Sequence, residues 1–149
     1  GFKSQRPDND YKVGPDNLWC GVHNQYIFFE CKNEVKEDRN TIKKSEAGQM
    51  NNHCAWFEEK YGDAKVCRIF VVPTNILDHK ANLTHKVVVM NPKLLDKFKS
   101  SLDKFLMEFK DYALSDIDKN FIQEALVTHH LTIDCIKKDY VEKIVKEKV

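Results

Sequence analysis

An apolar and aromatic run that ends in charged residues constrains this chain more than any other feature. Residues 26–31 read Tyr-Ile-Phe-Phe-Glu-Cys, and Lys32 follows directly. This composition is typical of a short strand that is buried on both faces. A buried strand seldom ends in charged residues without a role for them, so the end of this run is the first place to look for function.

The segment ahead of the run predicts the other strand of a β-hairpin. Residues 14–19 read Gly-Pro-Asp-Asn-Leu-Trp, and residues 21–25 suit a five-residue loop. The resulting register pairs Cys20 with Tyr26, Leu18 with Phe28, and Asp16 with Glu30. Two carboxylates are therefore expected to face each other across the hairpin.

Strand alternation puts Glu30 and Lys32 on one face and Cys31 on the other, so Asp16, Glu30 and Lys32 should converge at one corner. Close carboxylates repel each other unless a cation lies between them, and hard oxygen ligands suit Mg²⁺ or Mn²⁺ better than zinc. Such a metal activates water and neutralises charge on a phosphate, while Lys32 could orient that water. The competing interpretation is a salt bridge at the solvent-exposed end of a strand.

At these residues the chain resembles the PD-(D/E)XK nuclease superfamily, which has the restriction-endonuclease-like fold. Pro15-Asp16 matches the PD element and Glu30-Cys31-Lys32 the (D/E)XK element, and the likeness covers about residues 2–73. The resemblance implies that Asp16 and Glu30 bind the metal and that Lys32 is catalytic. It also implies that the backbone carbonyl of Cys31 is a further metal ligand.

The resemblance has three further implications. Many members carry a glutamine on the helix after the active strand, and Gln49 fits that position. Members commonly have a helix before the first strand, often with another acid near the metal. This sequence begins at Gly1 just ahead of the hairpin, so we expect a fragment or a differently completed core and assign no such acid. Residues 1–19 also resemble nuclease-like regions of bacterial helicase-type proteins, which makes an attached helicase an expected partner.

The middle of the chain predicts a mixed α/β fold. Ser45 begins a helix that Gly62 ends, with a buried stripe at helical spacing formed by Ala47, Met50, Cys54, Phe57 and Tyr61. Glu46, Gln49 and His53 share a neighbouring face, which should look toward the acidic end of the hairpin. A central strand is predicted over 65–72, parallel to strand 26–31, and a further, edge strand over 86–90. Loops are predicted over 35–44 and 74–85.

The last third of the chain predicts helices. One begins at Asn91-Pro92 and runs to about Asp111, another begins at 115–118, and a last helix includes Tyr140, Val141, Ile144 and Val145. We therefore predict a nuclease-like α/β core over residues 1–90, without a leading helix. Residues 91–149 are predicted to be helices that pack on the same domain.

Composition excludes several other classes of protein. The chain has 149 residues, of which 42% are hydrophobic and 32% charged, as expected of one globular domain. No run is long enough to span a membrane and no secretory signal is visible, so we expect a cytoplasmic protein. The net charge of +1 gives no global attraction to nucleic acid, so DNA would have to bind through a local patch. The five cysteines include no C-x-x-C pair, and a zinc site of Cys20, His23, His53 and Cys54 is not favoured.

The sequence thus predicts a metal-dependent nuclease domain that hydrolyses phosphodiester bonds in DNA. Nothing resembles a base-reading helix or a zinc finger, so strong sequence specificity is not expected. One alternative is a non-catalytic nucleic-acid-binding or docking module with the same fold. Another is a structural α/β interaction domain in which Lys32 simply pairs with Asp16 or Glu30. Oligomeric state and the choice between endonuclease and exonuclease stay open.

Overall fold

The computed structural model describes residues 3–32 and 39–148, which form a mixed α/β fold. The first half contains β1 (Lys3–Gln5), α1 (Pro7–Asp10), β2 (Asn17–Cys20), β3 (Tyr26–Cys31), α2 (Lys44–Tyr61) and β4 (Val66–Val71). The second half contains β5 (Ile76–Leu77), β6 (Val87–Met90), α3 (Pro92–Glu108), α4 (Lys119–Thr128), α5 (Ile133–Asp139), β7 (Glu142–Lys143) and β8 (Val145–Lys146).

Six of these strands form one mixed sheet in the order β1-β2-β3-β4-β6-β7. The central strands β3, β4 and β6 are parallel, whereas β1, β2 and β7 join the sheet in antiparallel pairs. The predicted hairpin register is confirmed for Cys20 with Tyr26 and for Leu18 with Phe28; the pairing of β2 with β3 starts at Asn17, so the predicted pair of Asp16 and Glu30 lies just outside it. The predicted parallel pairing of the central strand is confirmed as well: β4 pairs with β3 in parallel, and α2 connects the two strands.

The sheet has a hydrophobic core on each face. On one face α2 contributes Met50, Cys54 and Phe57, which pack with Phe28 and Phe70. The other core contains side chains from α3, α5 and the strands: Ile27, Phe29, Ile69, Phe98, Ile136 and Tyr140. Even-numbered residues of β3 therefore look toward α2, and this alternation decides which side of the sheet receives Glu30 and Lys32.

Both ends of α2 and the start of α3 follow local signals in the sequence. Gly62 ends α2 with a φ of 62°, a left-handed conformation that glycine adopts without strain. Asn91 caps α3, since its side chain accepts a hydrogen bond from the Leu94 N–H, and Pro92 takes the first helical position. These helix boundaries lie within about one residue of the predicted ones at all three positions.

The end of the chain differs from the prediction of a last helix. The helix α5 ends at Asp139, and the segment that follows forms β7 against β6 and β8 against β5. Val141, Ile144 and Val145 are β-branched and pack or pair readily in extended conformation, so an open sheet edge outweighs their helical spacing. As a result β6 is an interior strand, not an edge strand, and the predicted loop 74–85 contains β5.

Two elements lie ahead of the hairpin, where no helix was predicted. The strand β1 pairs with β2, and the four-residue helix α1 follows it. In the C-terminal third, Leu114–Asp116 is a 3₁₀ turn, and α4 begins only after Asp118, which accepts a hydrogen bond from the Phe121 N–H. Residues 35–38 of the predicted loop 35–44 lie outside the described residues.

Candidate metal centre

The chain enters the corner through a glycine that tolerates no side chain. Gly14 has a φ of 102°, and a Cβ atom there would lie 2.9 Å from Pro7 Cβ and 3.0 Å from Trp56 Cδ2. Only glycine adopts such a conformation readily in so tight a space. This close approach brings Pro15 and Asp16 against α2 and places Asp16 directly before β2.

The Asp16 carboxylate is fastened to the end of the neighbouring strand. Its Oδ2 atom accepts a hydrogen bond from the Cys31 N–H at 2.6 Å, which joins the beginning of β2 to the end of β3. A charge-assisted hydrogen bond of this length fixes the orientation of the carboxyl group. Asp16 thus lies beside the predicted acid-x-Lys segment.

Glu30, Lys32 and Gln49 are linked in a row. Glu30 is only 1% exposed, and its Oε1 atom accepts a hydrogen bond of 2.5 Å from Lys32 Nζ. The same ammonium group donates to Gln49 Oε1 on α2 at 2.6 Å. The structure therefore brings Asp16, Glu30, Lys32 and Gln49 together at one corner of the sheet.

The two acids experience opposite electrostatic environments. Burial raises the pKa of Asp16 above its usual 3.8; the hydrogen bond from Cys31 opposes this effect, while the charges of Glu30 and Asp8 add to it. Burial would also raise the pKa of Glu30, but the attraction of His53 and Lys32 outweighs it and lowers the pKa below 4.5. Glu30 is consequently ionised at neutral pH, whereas Asp16 lies in a site that already has excess negative charge.

Two residues of the corner were not predicted as site residues. His53 Nδ1 lies 2.9 Å from Glu30 Oε2, and the His53 side chain is largely buried. Asp8, on α1, is close enough for its charge to raise the pKa of Asp16. The sequence held a signal for His53, because it lies four residues after Gln49 and so on the same face of α2. It held no signal for Asp8, which belongs to the four-residue helix α1 and reaches the corner through tertiary folding.

Unsatisfied buried polar atoms are concentrated at this corner. Five buried side-chain nitrogen or oxygen atoms have no hydrogen-bond partner among the described residues, and one of them, Arg68 Nε, lies elsewhere. The other four are Asp8 Oδ1, Glu30 Oε2, His53 Nδ1 and Trp56 Nε1. Such atoms are rare in native proteins, and a bound ion is one of the usual reasons for them. Glu30 Oε2 and His53 Nδ1 lie 2.9 Å apart and offset each other, and the Trp56 N–H needs an acceptor, so a cation would satisfy only the Asp8 oxygen of these four atoms.

An open groove of about 630 Å³ leads to the corner. It is lined by residues of α1, of the segment between α1 and β2, and of α2, including Asp8, Lys12, Gly14, Gln49, His53 and Trp56. A ligand in the groove would therefore contact Gln49 and His53, the two α2 side chains that meet Lys32 and Glu30.

The corner carries oxygen ligands of the type that a hard divalent cation prefers, without bringing three ligand atoms of its described residues within 4.8 Å of one another. Asp8, Asp16 and Glu30 offer carboxylate oxygens, and the pKa of the Asp16 carboxyl group is raised. Cys31 does not offer a thiolate, because burial and the charges of Asp16 and Glu30 raise its pKa to about 11. The predicted role of its backbone carbonyl as a ligand stays a prediction.

Among the described residues, two groups of three ligand-type side chains have ligand atoms within 4.8 Å of one another, and the corner is not one of them. One consists of His130, Cys135 and Asp139, and the other of Asp78, His79 and Glu147. Each includes an exposed histidine that already contacts a carboxylate of its own group, His130 with Asp139 and His79 with Glu147. Neither group includes a buried polar atom without a hydrogen-bond partner, and both lie away from the acid-x-Lys segment, so the corner stays the candidate site on its chemistry and not on the closeness of its ligand atoms.

The fold and the corner define a mixed α/β domain with a candidate centre for a divalent metal ion. Comparison with family models, with curated proteins and with solved structures finds no match for the chain. Within the described ranges, no helix has both the length and the apolar character needed to cross a membrane. The functional argument therefore rests on the geometry of the corner.

Proposed function

We propose that the chain is a metal-dependent nuclease domain that hydrolyses phosphodiester bonds in DNA. The supporting observation is the buried Glu30 carboxylate, whose Oε1 atom accepts a hydrogen bond from Lys32 Nζ and whose Oε2 atom lies 2.9 Å from His53 Nδ1. A buried carboxylate beside an ammonium group and a second acid, Asp16, is an arrangement that suits phosphate chemistry with a bound cation. The PD-(D/E)XK resemblance of Asp16, Glu30 and Lys32 supports the same activity.

In this proposal each residue at the corner has a distinct role. Asp16 and Glu30, with Asp8 beside them, would hold Mg²⁺ or Mn²⁺ by carboxylate oxygens. When bound, the metal would supply Lewis-acid stabilisation of the phosphate and a more acidic water. Lys32 would orient the attacking water and stabilise negative charge on the phosphate oxygens. Gln49 accepts a hydrogen bond from Lys32 and so acts as a positioning residue.

The substrate in this proposal is DNA with no strong sequence preference. The groove beside the corner offers Lys12 and the Asn52 amide for contact with a phosphate or a base. With a net charge of only +1, binding would depend on this local surface and on an attached domain. A helicase-type partner acting on DNA in the cytoplasm is consistent with this modest charge.

A cleavage assay tests the proposal. Labelled single-stranded, duplex and branched DNA would be incubated with the domain in Mg²⁺, in Mn²⁺ and in chelator. We expect cleavage that requires metal and falls by about 10²–10⁴-fold in Lys32→Met and Asp16→Asn. Folded wild-type protein that binds metal but cleaves no DNA form, alone or with an attached helicase, would contradict a nuclease.

A second candidate function is a docking module that keeps the fold without cleaving. The observation in its favour is that Lys32 Nζ and His53 Nδ1 already contact both oxygens of the Glu30 carboxylate, at 2.5 and 2.9 Å. The two candidates differ in one measurement, since a docking module should show no saturable Mn²⁺ binding that depends on Asp16 and Glu30. Calorimetric titration of Mn²⁺ into wild type, Asp16→Asn and Glu30→Gln therefore discriminates between them.

A further inference from the structure

A basic trough lies at the opposite end of the parallel strands from the corner. It consists of an open groove of about 620 Å³ and an adjoining groove of about 90 Å³, which share Val66, Cys67 and Lys137. The cationic side chains that line the two grooves are Lys65, Arg68, Lys86, Lys137 and Lys138. Among the described residues that line them, Asp134 is the only acid. Positive charge is therefore concentrated here, in a chain whose net charge is only +1.

The register of the sheet separates the basic trough from the corner. The strands β4 and β6 are parallel, and Lys65 and Lys86 directly precede them, at the edge of the sheet where both strands begin. Glu30 pairs with Phe70, which is four residues after Val66. At about 3.3 Å per residue, the two places are about 13 Å apart along the strand. A substitution in the trough therefore leaves the side chains of the corner in place.

Most of the charge in the basic trough is available to a ligand. Lys137 is paired with Asp134 at 2.5 Å, and the Arg68 side chain is only 13% exposed and lies 3.8 Å from Glu58. The other cations of the trough are exposed and form no ion pair with a described residue: Lys65, Lys86 and Lys138. These three ammonium groups can bind an anionic ligand without first breaking a contact.

The floor of the basic trough is uncharged. It is formed by Val66, Cys67 and Val88, all of them half-buried. Burial raises the pKa of the Cys67 thiol, and the opposing charges of Lys137 and Lys86 do not outweigh this effect. The thiol is consequently neutral at pH 7, and the trough combines a rim of positive charge with an apolar floor.

This combination fits a single strand of nucleic acid better than other polyanions. The bases of a single strand can lie on an apolar floor while its phosphates meet the cationic rim. A duplex keeps its bases stacked inside, and a lipid surface is too flat to enter a concave trough. Lysine ammonium groups bind phosphates as point charges without a fixed orientation, which suits a flexible strand of any sequence.

We propose that the basic trough binds the backbone of single-stranded DNA without reading its sequence. The choice of DNA rests on the proposed function, whereas binding in the trough requires neither a metal nor cleavage. The trough would hold a strand on the protein while the corner acts at a separate place. It is thus a second contact surface for the substrate.

The experiment measures binding of a labelled oligothymidine and of a labelled duplex by fluorescence anisotropy, in chelator and over a range of salt concentrations. The test variant combines Lys65→Gln, Lys86→Gln and Lys138→Gln, and it keeps the Lys137–Asp134 ion pair. The matched control makes the same change in net charge at three exposed lysines of α3: Lys93→Gln, Lys99→Gln and Lys104→Gln. Circular dichroism would establish that each variant is folded.

We expect the affinity for oligothymidine at low salt to fall at least about tenfold in the test variant and less than about threefold in the control. The slope of log affinity against log salt should become shallower by about 2, since each phosphate contact on a single strand contributes about 0.7. Asp134→Asn should bind about two- to threefold more tightly, because it removes the acid from the trough. A damaged fold cannot produce that gain.

An equal loss in the test variant and the control would show a general effect of charge and would overturn the inference. Tighter binding of the duplex than of the single strand, or equal competition by polyglutamate, would overturn it as well. Oligothymidine binding that depends on the three lysines in a protein that cleaves no DNA would support the trough and contradict only the nuclease. Metal-dependent cleavage with unchanged DNA binding in the test variant would overturn the trough and leave the proposed function intact.

Discussion

Replacing Lys32 with methionine tests the corner most directly, because it removes a charge and keeps much of the side-chain volume. Lys32 is 15% exposed and donates hydrogen bonds to Glu30 Oε1 and Gln49 Oε1. A hydrogen bond to a charged group contributes about 1.5–3 kcal/mol, and the more exposed one to Gln49 contributes less. Burying the methionine side chain recovers about 1 kcal/mol. We expect the free energy of unfolding to fall by about 2 kcal/mol at neutral pH.

The effect of this substitution should depend on pH with a definite sign. Burial alone would raise the pKa of Glu30, and the contacts with His53 and Lys32 lower it below 4.5. A lowered pKa means that the ion pair stabilises the fold above pH 4.5 and that this contribution is lost as pH falls through the folded-state pKa. The stability difference between wild type and Lys32→Met should therefore be largest near neutral pH and should shrink in acid.

Urea denaturation of the metal-free protein between about pH 7 and pH 4 measures this difference. Lys60→Met is the matched control, since Lys60 is exposed near the end of α2 and should change stability by less than about 0.5 kcal/mol. A Lys32→Met variant as stable as wild type, or a difference that stays constant with pH, would refute the ion-pair argument. A loss of about 2 kcal/mol leaves a typical domain folded, so its cleavage activity can still be measured.

Three further predictions concern the residues around Glu30. Gly14→Ala should lower the free energy of unfolding by about 2–4 kcal/mol, because Gly14 has a positive φ and an added Cβ would clash with Pro7. Gly48→Ala is the control: Gly48 faces open space within α2, so alanine there should raise the free energy of unfolding by about 0.5–1 kcal/mol. Urea denaturation measures both variants, and equal effects would contradict the geometry at Gly14. Asp16→Asn should stabilise the metal-free protein at neutral pH by up to about 1 kcal/mol, because the raised pKa of Asp16 means that ionisation costs stability as pH rises. Thermal melts should show that advantage shrinking in acid and the stabilisation by Mn²⁺ disappearing. Cys31→Ala should change the Mn²⁺ affinity measured by calorimetry by less than about threefold. The reason is that the Cys31 pKa of about 11 keeps the thiol neutral, and the substitution leaves the backbone carbonyl in place. A larger loss of affinity would assign the sulfur a role.

Sequence reasoning succeeds where short-range patterns decide the structure. The register of the hairpin follows from alternation and a five-residue loop, and it placed Asp16 beside the end of β3. The boundaries of α2 follow from a start signal and a glycine stop. These features depend on residues within a few positions of one another, so one sequence suffices to predict them.

The same reasoning fails where distant segments decide. The residues after Asp139 have helical spacing, yet β6 and β5 offer unpaired edges more than fifty residues away, and the segment forms β7 and β8 on them. Asp8 joins the corner because Gly14 lets the chain pack closely on Trp56. No local pattern carries either result, since both depend on which surfaces meet in the folded chain.

The corner itself results from a match between two different repeats. Along β3, Lys32, Glu30, Phe28 and Tyr26 point toward α2 at intervals of two residues, or about 6.6 Å. Along α2, Gln49, His53, Phe57 and Tyr61 recur every four residues, or about 6 Å.

Because these spacings nearly agree and the two elements run in opposite directions, each strand residue meets one helix residue in turn. Lys32 contacts Gln49, Glu30 contacts His53, Phe28 packs on Phe57, and Tyr26 packs on Phe57 and Tyr61. The aromatic half of this row is hydrophobic core, and the polar half is the candidate metal centre. The rigid packing of the aromatic residues therefore sets the positions of the polar residues. A binding site needs such support if its side chains are to stay in place before a ligand binds.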